Sequence, residues 1–227
     1  MDVMYFIRTV LLLKSARKQQ LLRLKEVRKL VSSDEPVLVV PNQPLDHQSH
    51  VRGRCWPIDI DFNLHMNNGR YLREADFGRF KLTLSTGLWF AIVERRKREQ
   101  SQNINLVLGG IDIKYKRSIG LWETFDIYTR LSYWDDRSFY FEQVFVLDEK
   151  QKNKEPKIIC CTILSKLTTV GQTRDGEKLS PLMLLKDLGY KTLKIPEHES
   201  KHIELFRLNQ RAFKPIVNKQ GQIVSKL

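Results

Sequence analysis

The stretch DIDFNLHMNNGRYLREADFGRF, Asp59 to Phe80, puts two carboxylates, an imidazole and three amides into ten residues, directly ahead of a segment with helical spacing. Asp59, Asp61, Asn63 and His65 alternate, so an extended backbone would turn all four to one face. The spacing predicts a helix opening at Asn67 or Asn68, both good N-caps, whose first backbone amides carry the positive end of the helix dipole. A base that can take a proton from water, beside amides that can hold an oxyanion, suits hydrolysis of an acyl thioester. Its thiol leaving group, with a pKa of about 8.5, departs as thiolate with little help, so an activated water and a polarised carbonyl are what the reaction needs.

The surrounding pattern says what must position these groups. An extended segment is expected from Arg54 to Ile60. Helical spacing through Tyr71, Ala75, Gly78 and Leu82 then runs to about Ser85, Thr86-Gly87 ends it, and a second helix is expected from Leu88 to about Gln100. Its closing run, ERRKRE, reads as a solvated helix face. The period then becomes strand-like in INLVLGGIDIKYKRSI, WETFDIYTRLSYW, SFYFEQVFVLD and KIICCTILSKLTTV. Their short connections require antiparallel neighbours. Gly109-Gly110 predicts a bulge or bend. One helix against a run of antiparallel strands is an α+β arrangement. Beyond Gly171, SPLMLLKDLG and HIELFRLNQRAF predict two short helices.

At 227 residues, 41% hydrophobic, the chain can bury an ordinary core. Its 39 Lys+Arg against 26 Asp+Glu give a net charge of +13, which favours anionic partners. Three cysteines, Cys55, Cys160 and Cys161, are a poor basis for disulfides and fit a reducing compartment. MDVMYFIRTVLLL, broken by Arg8, is shorter than the roughly 20 apolar residues of a spanning helix. With KSARKQQLLRLKEVRKLV it forms a basic amphipathic helix, Lys14, Lys18 and Lys25 on one side and Leu13, Ala16, Leu24, Val27 and Val31 on the other. Two readings stay open for it: attachment to an anionic membrane surface, or a solvated helix packed on the domain. Ser32 to Gln48 reads as a linker.

The quoted stretch resembles the signature of hotdog-fold acyl thioesterases of the 4-hydroxybenzoyl-CoA thioesterase superfamily, in which an Asp precedes the central helix; Asp61 takes that place. HMNNGRYLREADFGR and the later SYWDDRSFYFE are similar to an animal branch of that family, over about Val51 to Val170. The D-x-N-x-H-x-N-N arrangement is similar to plant acyl-carrier-protein thioesterases, whose catalytic Asp, Asn and His fall on Asp61, Asn63 and His65. Where those enzymes carry a further acid, at the strand IDIKYKRSI, this chain has Ser118.

The resemblance implies an antiparallel sheet wrapped around a central helix and a homodimer with sites at its interface. It also implies an acyl-CoA or acyl-carrier-protein thioester as substrate, with neither cofactor nor metal. The expected organisation is an N-terminal segment and linker over 1–50, a hotdog domain over 51–170 and a helical extension over 171–227. Asp61, alone or through His65, is expected to activate water, and Asn63 with the amides near Asn68 and Gly69 to hold the carbonyl oxygen. Lys114, Lys116 and Arg117 are the candidates for the phosphates of coenzyme A. A catalytically inactive hotdog protein that binds acyl-CoA or a partner at a membrane is the alternative. The expected location is the endoplasmic reticulum membrane surface or the cytoplasm.

HESKH, His198 to His202, matches a zinc-protease pattern, but polar Ser200 and Lys201 and the missing third ligand make it accidental. No RRM, KH or zinc-finger pattern is present, so nucleic acid is not the expected partner.

Overall fold

The computed structural model describes residues 3–30, 43–147, 158–190 and 200–212. The chain divides into two units, Met1–Ile195 and Pro196–Leu227. In chain order the first holds α1 (Val3–Leu30), β1 (Ser49–Arg54), a 3₁₀ turn (Pro57–Asp59), α2 (Asn68–Ser85) and α3 (Leu88–Glu99). It continues with β2 (Asn105–Tyr115), β3 (Thr124–Trp134), β4 (Ser138–Leu147), β5 (Ile158–Val170) and α4 (Pro181–Asp187). The second holds α5 (Lys201–Ala212). The described strands form one antiparallel sheet in the order β1-β3-β4-β5-β2. This sheet wraps α2, which is the hotdog arrangement.

Periodicity explains most of this architecture. Tyr71, Ala75, Gly78 and Leu82 fall on one face of α2, and all four are buried. The N-terminal half of that face meets Phe125, Ile127, Phe145 and Cys161, and the C-terminal half lies over Phe139, Phe141 and Ile92. Between these apolar clusters runs a polar belt. Arg79 donates to Gln143 Oε1 at 2.7 Å and to Ser165 Oγ at 2.9 Å, and it pairs with Asp76; Gln143 Nε2 donates to Ala75 O at 2.8 Å and Thr129 Oγ1 at 3.0 Å.

Gly78 lies over that belt. A Cβ there would come within 2.5 Å of Thr129 Oγ1 and 2.7 Å of Gln143 Nε2, so the absent side chain is what lets helix and sheet approach. At Gly109-Gly110 the register between β2 and β5 shifts, the expected bulge.

Three expectations change. The extended segment is β1, which spans Ser49–Arg54 rather than Arg54 to Ile60; from Pro57 the chain curls into the 3₁₀ turn, with proline at its first position. ERRKRE is not a solvated face throughout: Arg95 is buried, its Nε 2.6 Å from Asp187 Oδ2, and Arg98 reaches the same carboxylate at 3.1 Å. That clamp fastens α3 to α4. On α1, Lys14 and Lys18 are exposed, as expected, but Leu11, Leu21 and Leu22 are exposed with them, while Ala16 and Gln20 are buried. Among the described residues no helix is long and apolar enough to cross a membrane. His198 and Glu199 of HESKH lie outside the described residues, as does most of the linker.

Replacing Gly78 with alanine should improve helix propensity by up to about 1 kcal/mol yet force Thr129 and Gln143 apart. A net destabilisation of roughly 1–3 kcal/mol is expected from overpacking. Urea unfolding measures it, and an unchanged midpoint would contradict the close approach.

Candidate active site

Asp59 and Asp61, two residues apart, do opposite things. The Asp59 side chain is 1% exposed and held from three directions: Oδ2 accepts the Trp56 N–H at 3.0 Å, and Oδ1 accepts Arg73 Nη2 at 2.7 Å with Arg70 Nε at 3.7 Å. Arg73 also reaches Glu74 Oε1 at 2.9 Å, and Glu74, likewise buried, takes Arg8 of α1 at 2.9 Å. Burial works to lower the Arg73 pKa, and the carboxylates of Glu74 and Asp59 outweigh it, leaving the guanidinium above its ordinary value. The result is a closed charge network tying the 3₁₀ turn, α2 and α1 together.

From Ile60 to Met66 the chain makes a miniature hairpin, its two ends paired as an antiparallel bridge. The Asp61 N–H donates to His65 O at 2.9 Å and the Leu64 N–H to Asp61 O at 3.0 Å, with Leu64 at φ 60°. Asp61 Oδ1 accepts the Asn63 N–H at 2.9 Å, a short-range turn that any Asx side chain makes. The four polar residues therefore do not share one extended face. Asp59 turns inward as a structural anchor, Asp61 and His65 close the hairpin through their backbones, and Asn63 stands exposed at its tip.

The hairpin leads directly into α2. Asn67 is the N-cap: its N–H donates to Asp59 O at 2.8 Å, and its Oδ1 accepts the Gly69 N–H at 2.9 Å. Of the two amides expected to hold a carbonyl oxygen, Gly69's is thus occupied by the cap. Among the described residues nothing accepts from the Asn68 N–H.

The end of β2 is brought to this point by Tyr115, whose hydroxyl donates to Asn68 O at 3.2 Å. Lys114, one residue earlier on the strand, projects from the opposite face. Lys116 and Arg117 follow the strand, their N–H groups both donating to Cys160 O, and Arg117 lies 3.8 Å from Glu123. Ser118 is exposed beside them. The loop that follows pairs with the hairpin: Met66 N–H donates to Ile119 O at 2.8 Å, and His65 bridges to Gly120. Around the hairpin Phe62 is 92% exposed and Leu64 70%, with Ile58, Leu121 and Trp122 also open to solvent.

The cysteines play no part in such chemistry. All three are free and buried, and burial raises Cys55 and Cys160 to about 11 and Cys161 to about 12. They are protonated thiols at neutral pH. Among the described residues no group of His, Cys, Asp and Glu is arranged to hold a metal ion.

Sequence comparison agrees with this architecture. The family model described as the Thioesterase-like superfamily matches residues 55–203. The chain belongs to the thioesterase-like superfamily. It is similar to Protein THEM6 of Xenopus laevis, 31% identical over 97% of this chain and 87% of that one. Protein THEM6 of Danio rerio is 44% identical over a shorter stretch, 42% of this chain and 44% of that one. Among solved structures, a probable thioesterase from Bartonella henselae overlays with a TM-score of 0.47 at 19% identity, covering 59% of this chain and 98% of that one. Membership of the superfamily carries a thioesterase-like function; the roles of individual residues follow from the geometry.

Two measurements separate the carboxylates and the thiols. Asp59→Asn should cost about 3–5 kcal/mol, because it leaves the arginines around it in a broken buried network, whereas Asp61→Asn, which keeps the Asx turn, should stay within about 0.5 kcal/mol of the parent. Equal losses in denaturant titrations would mean that Asp61 is as structural as Asp59. The folded protein should resist Ellman's reagent at pH 8 and react fully once unfolded. Because each thiol binds its proton more tightly when folded, this contribution to stability is complete below the ordinary value of 9.0 and declines as pH rises towards 11 to 12.

Proposed function

We propose that this chain hydrolyses an acyl thioester of coenzyme A or of an acyl carrier protein, with Asp61 as the base. The observation that carries the proposal is the contrast between the two acids. One is wholly committed to the arginines beneath it, and the other caps only its own turn, in the hairpin that leads into α2, whose Asn68 N–H has no acceptor among the described residues. In this reading Asp61, directly or through His65, takes a proton from water as its oxygen bonds to the thioester carbon. The carbonyl oxygen gains negative charge against the Asn68 N–H at the positive end of the helix. The C–S bond then breaks, giving a carboxylic acid and a thiol.

Asn63, at the hairpin tip, is a further candidate donor to the carbonyl oxygen. Gly69 N–H can join Asn68 only by leaving the Asn67 side chain. Lys114, Lys116 and Arg117 remain the candidate contacts for coenzyme A phosphates, with Lys116 and Arg117 nearest to the hairpin's partner loop.

A homodimer belongs to the same reading. The outer edge of β2 has no partner strand among the described residues, and Val107, Leu108 and Tyr115 are exposed along it. An open edge of this kind invites a second strand. A second copy paired there would also shield the apolar side chains around the hairpin and exclude water from the reacting carbonyl, where each electrostatic contact then counts for more.

The alternative is an inactive hotdog protein that only binds acyl thioesters, and exposed Ser118, standing where related plant enzymes carry an acid, is the observation that favours it. Attachment of α1 to a membrane surface belongs to either reading. The test is release of free CoA from a panel of acyl-CoAs by purified protein. Turnover should appear for at least one chain length, and Asp61→Asn should lower kcat by about 10² or more. A variant as active as the parent removes Asp61 from the chemistry; no turnover with saturable binding of the same acyl-CoAs establishes the inactive binder.

A further inference from the structure

At the end of the sheet away from the hairpin, a cavity of about 520 Å³ opens where the end of α3, the segment before β2, the β3–β4 turn and the connection from β5 to α4 meet. Asp61, Asn63 and His65 do not line it. Within one chain β2, 11 residues long, leads from this cavity to the hairpin, a span of roughly 35 Å. The volume is that of a small-molecule site.

Three cations line the cavity: Arg137 from the β3–β4 turn, and Arg174 and Lys178 from the loop after β5. All three are exposed, and none has a carboxylate partner among the described residues. Asp136, Asp175 and Glu177, their neighbours in sequence, do not line it. Glu99 is the acid that does, and it is already engaged. Arg95 lies 3.6 Å and Arg98 3.5 Å from its carboxylate, which also accepts the Arg174 N–H at 3.0 Å. The cations that share the cavity with Glu99 are therefore left to repel one another.

Their backbones are nevertheless fixed. Arg137 O accepts both the N–H and the hydroxyl of Thr169, at 2.8 and 2.9 Å. The chain from Gly171 to Leu179 closes as a small hairpin: Gln172 and Lys178 pair as an antiparallel bridge, and the Leu179 N–H donates to Gly171 O at 3.0 Å. Gly171 seats this hairpin. At φ 104°, with a Cβ that would come within 2.8 Å of Ile104 Cα, the position admits only glycine. Three unpaired cations on anchored backbone are a preorganised arrangement rather than loose surface charge.

We propose that this cavity is a binding site, separate from the Asp61 hairpin, for a small hydrophilic molecule carrying two linked phosphates, one held by Arg137 and the other by Arg174 and Lys178. The arginine forks match phosphate oxygens and the lysine adds a point charge. Two phosphates suit cations supplied by two separate segments. Between the cations the lining is polar, with Ser101, Asn103 and Thr173 available to hydroxyl groups, so no greasy tail is called for.

The test titrates full-length protein calorimetrically with inorganic diphosphate and with inorganic phosphate. Diphosphate should bind once per chain, and phosphate about tenfold or more weaker. ADP and vesicles carrying phosphatidylinositol bisphosphate tell a free metabolite from a lipid headgroup. Loss of charge-assisted contacts in Arg137→Gln/Lys178→Gln should weaken diphosphate about ten- to a hundredfold, with Arg174→Gln intermediate. Because these side chains are exposed, the variants should melt as the parent does. Lys14→Gln/Lys18→Gln, which removes the same charge from α1, should bind as the parent does, and so should Asp61→Asn. Absence of saturable diphosphate binding, or an equal loss in the α1 variant, would overturn the proposal, the latter by reducing the attraction to net charge. Displacement of bound diphosphate by acyl-CoA at the concentrations that saturate the thioester site would overturn it as a separate site. Diphosphate binding in a protein without turnover would leave this site standing and remove only the hydrolytic reading.

Discussion

Burying a carboxylate is expensive unless it is paired and hydrogen-bonded, and this protein buries two side by side at the start of its central helix. Asp59 and Glu74 are both nearly inaccessible, and Arg73 spans them. The requirement that every charge in this group find a partner fixes several elements at once. Asp59 Oδ2 holds the amide that opens the 3₁₀ turn, its Oδ1 reaches α2, and its backbone carbonyl receives the N-cap of α2. Glu74 extends the network to α1 through Arg8. A shift of register in the hairpin or in α2 would strand a buried charge, so this network, more than any run of apolar contacts, determines where the hairpin stands.

What the network leaves out is as informative as what it holds. Between its two anchored ends, Asp59 and Asn67, the chain has seven residues in which to turn back, and it does so with Leu64 in the left-handed region. Trp122, on the loop paired with this hairpin, is also left-handed at φ 66°. Two such residues, one on each of the segments that the His65–Gly120 bridge joins, are costly for side chains of this size, and strain of this kind persists only where the surroundings over-determine it. Here the surroundings are the buried ion pairs below and the backbone bonds from His65 and Met66 to the loop at 119–120. The strained, solvent-facing hairpin carries Asp61, whereas the relaxed, buried side carries Asp59.

Much of the fold was legible because it is written in period. The boundaries of α2 and α3, the strand-like segments after residue 100 and the bulge at Gly109-Gly110 follow from spacing and residue type. The site was legible only in part. Nothing in alternation tells Asp59 from Asp61, because the difference is made by Arg73, 14 residues on, and by Arg8 in another helix. A strict two-residue period suggested one extended face, and local turn chemistry overrode it: Pro57 starts a 3₁₀ turn and Asp61 caps its own loop. ERRKRE looked like surface because charge runs usually are, while Asp187, the partner that buries Arg95, is 92 residues away. Family resemblance, not spacing, picked out Asp61.

The net charge of +13 gains meaning only when divided by location. Arg79 and Arg95 are buried and matched by Asp76 and Asp187, and Arg73 is engaged by two acids, so these cations are mortar and say nothing about a partner. The cations that face solvent are spread over many places, among them Lys14, Arg17 and Lys18 on α1, Arg52 and Arg54 on β1, Lys97 and Arg98 on α3, and the basic residues after β2. Screening limits each group to its own neighbourhood, since exposed charges more than about 8 Å apart scarcely feel one another in physiological salt. The net charge therefore does not describe one uniformly attractive surface; it divides into separate groups. Each group acts on what reaches its own neighbourhood, so the whole-chain charge by itself names no partner.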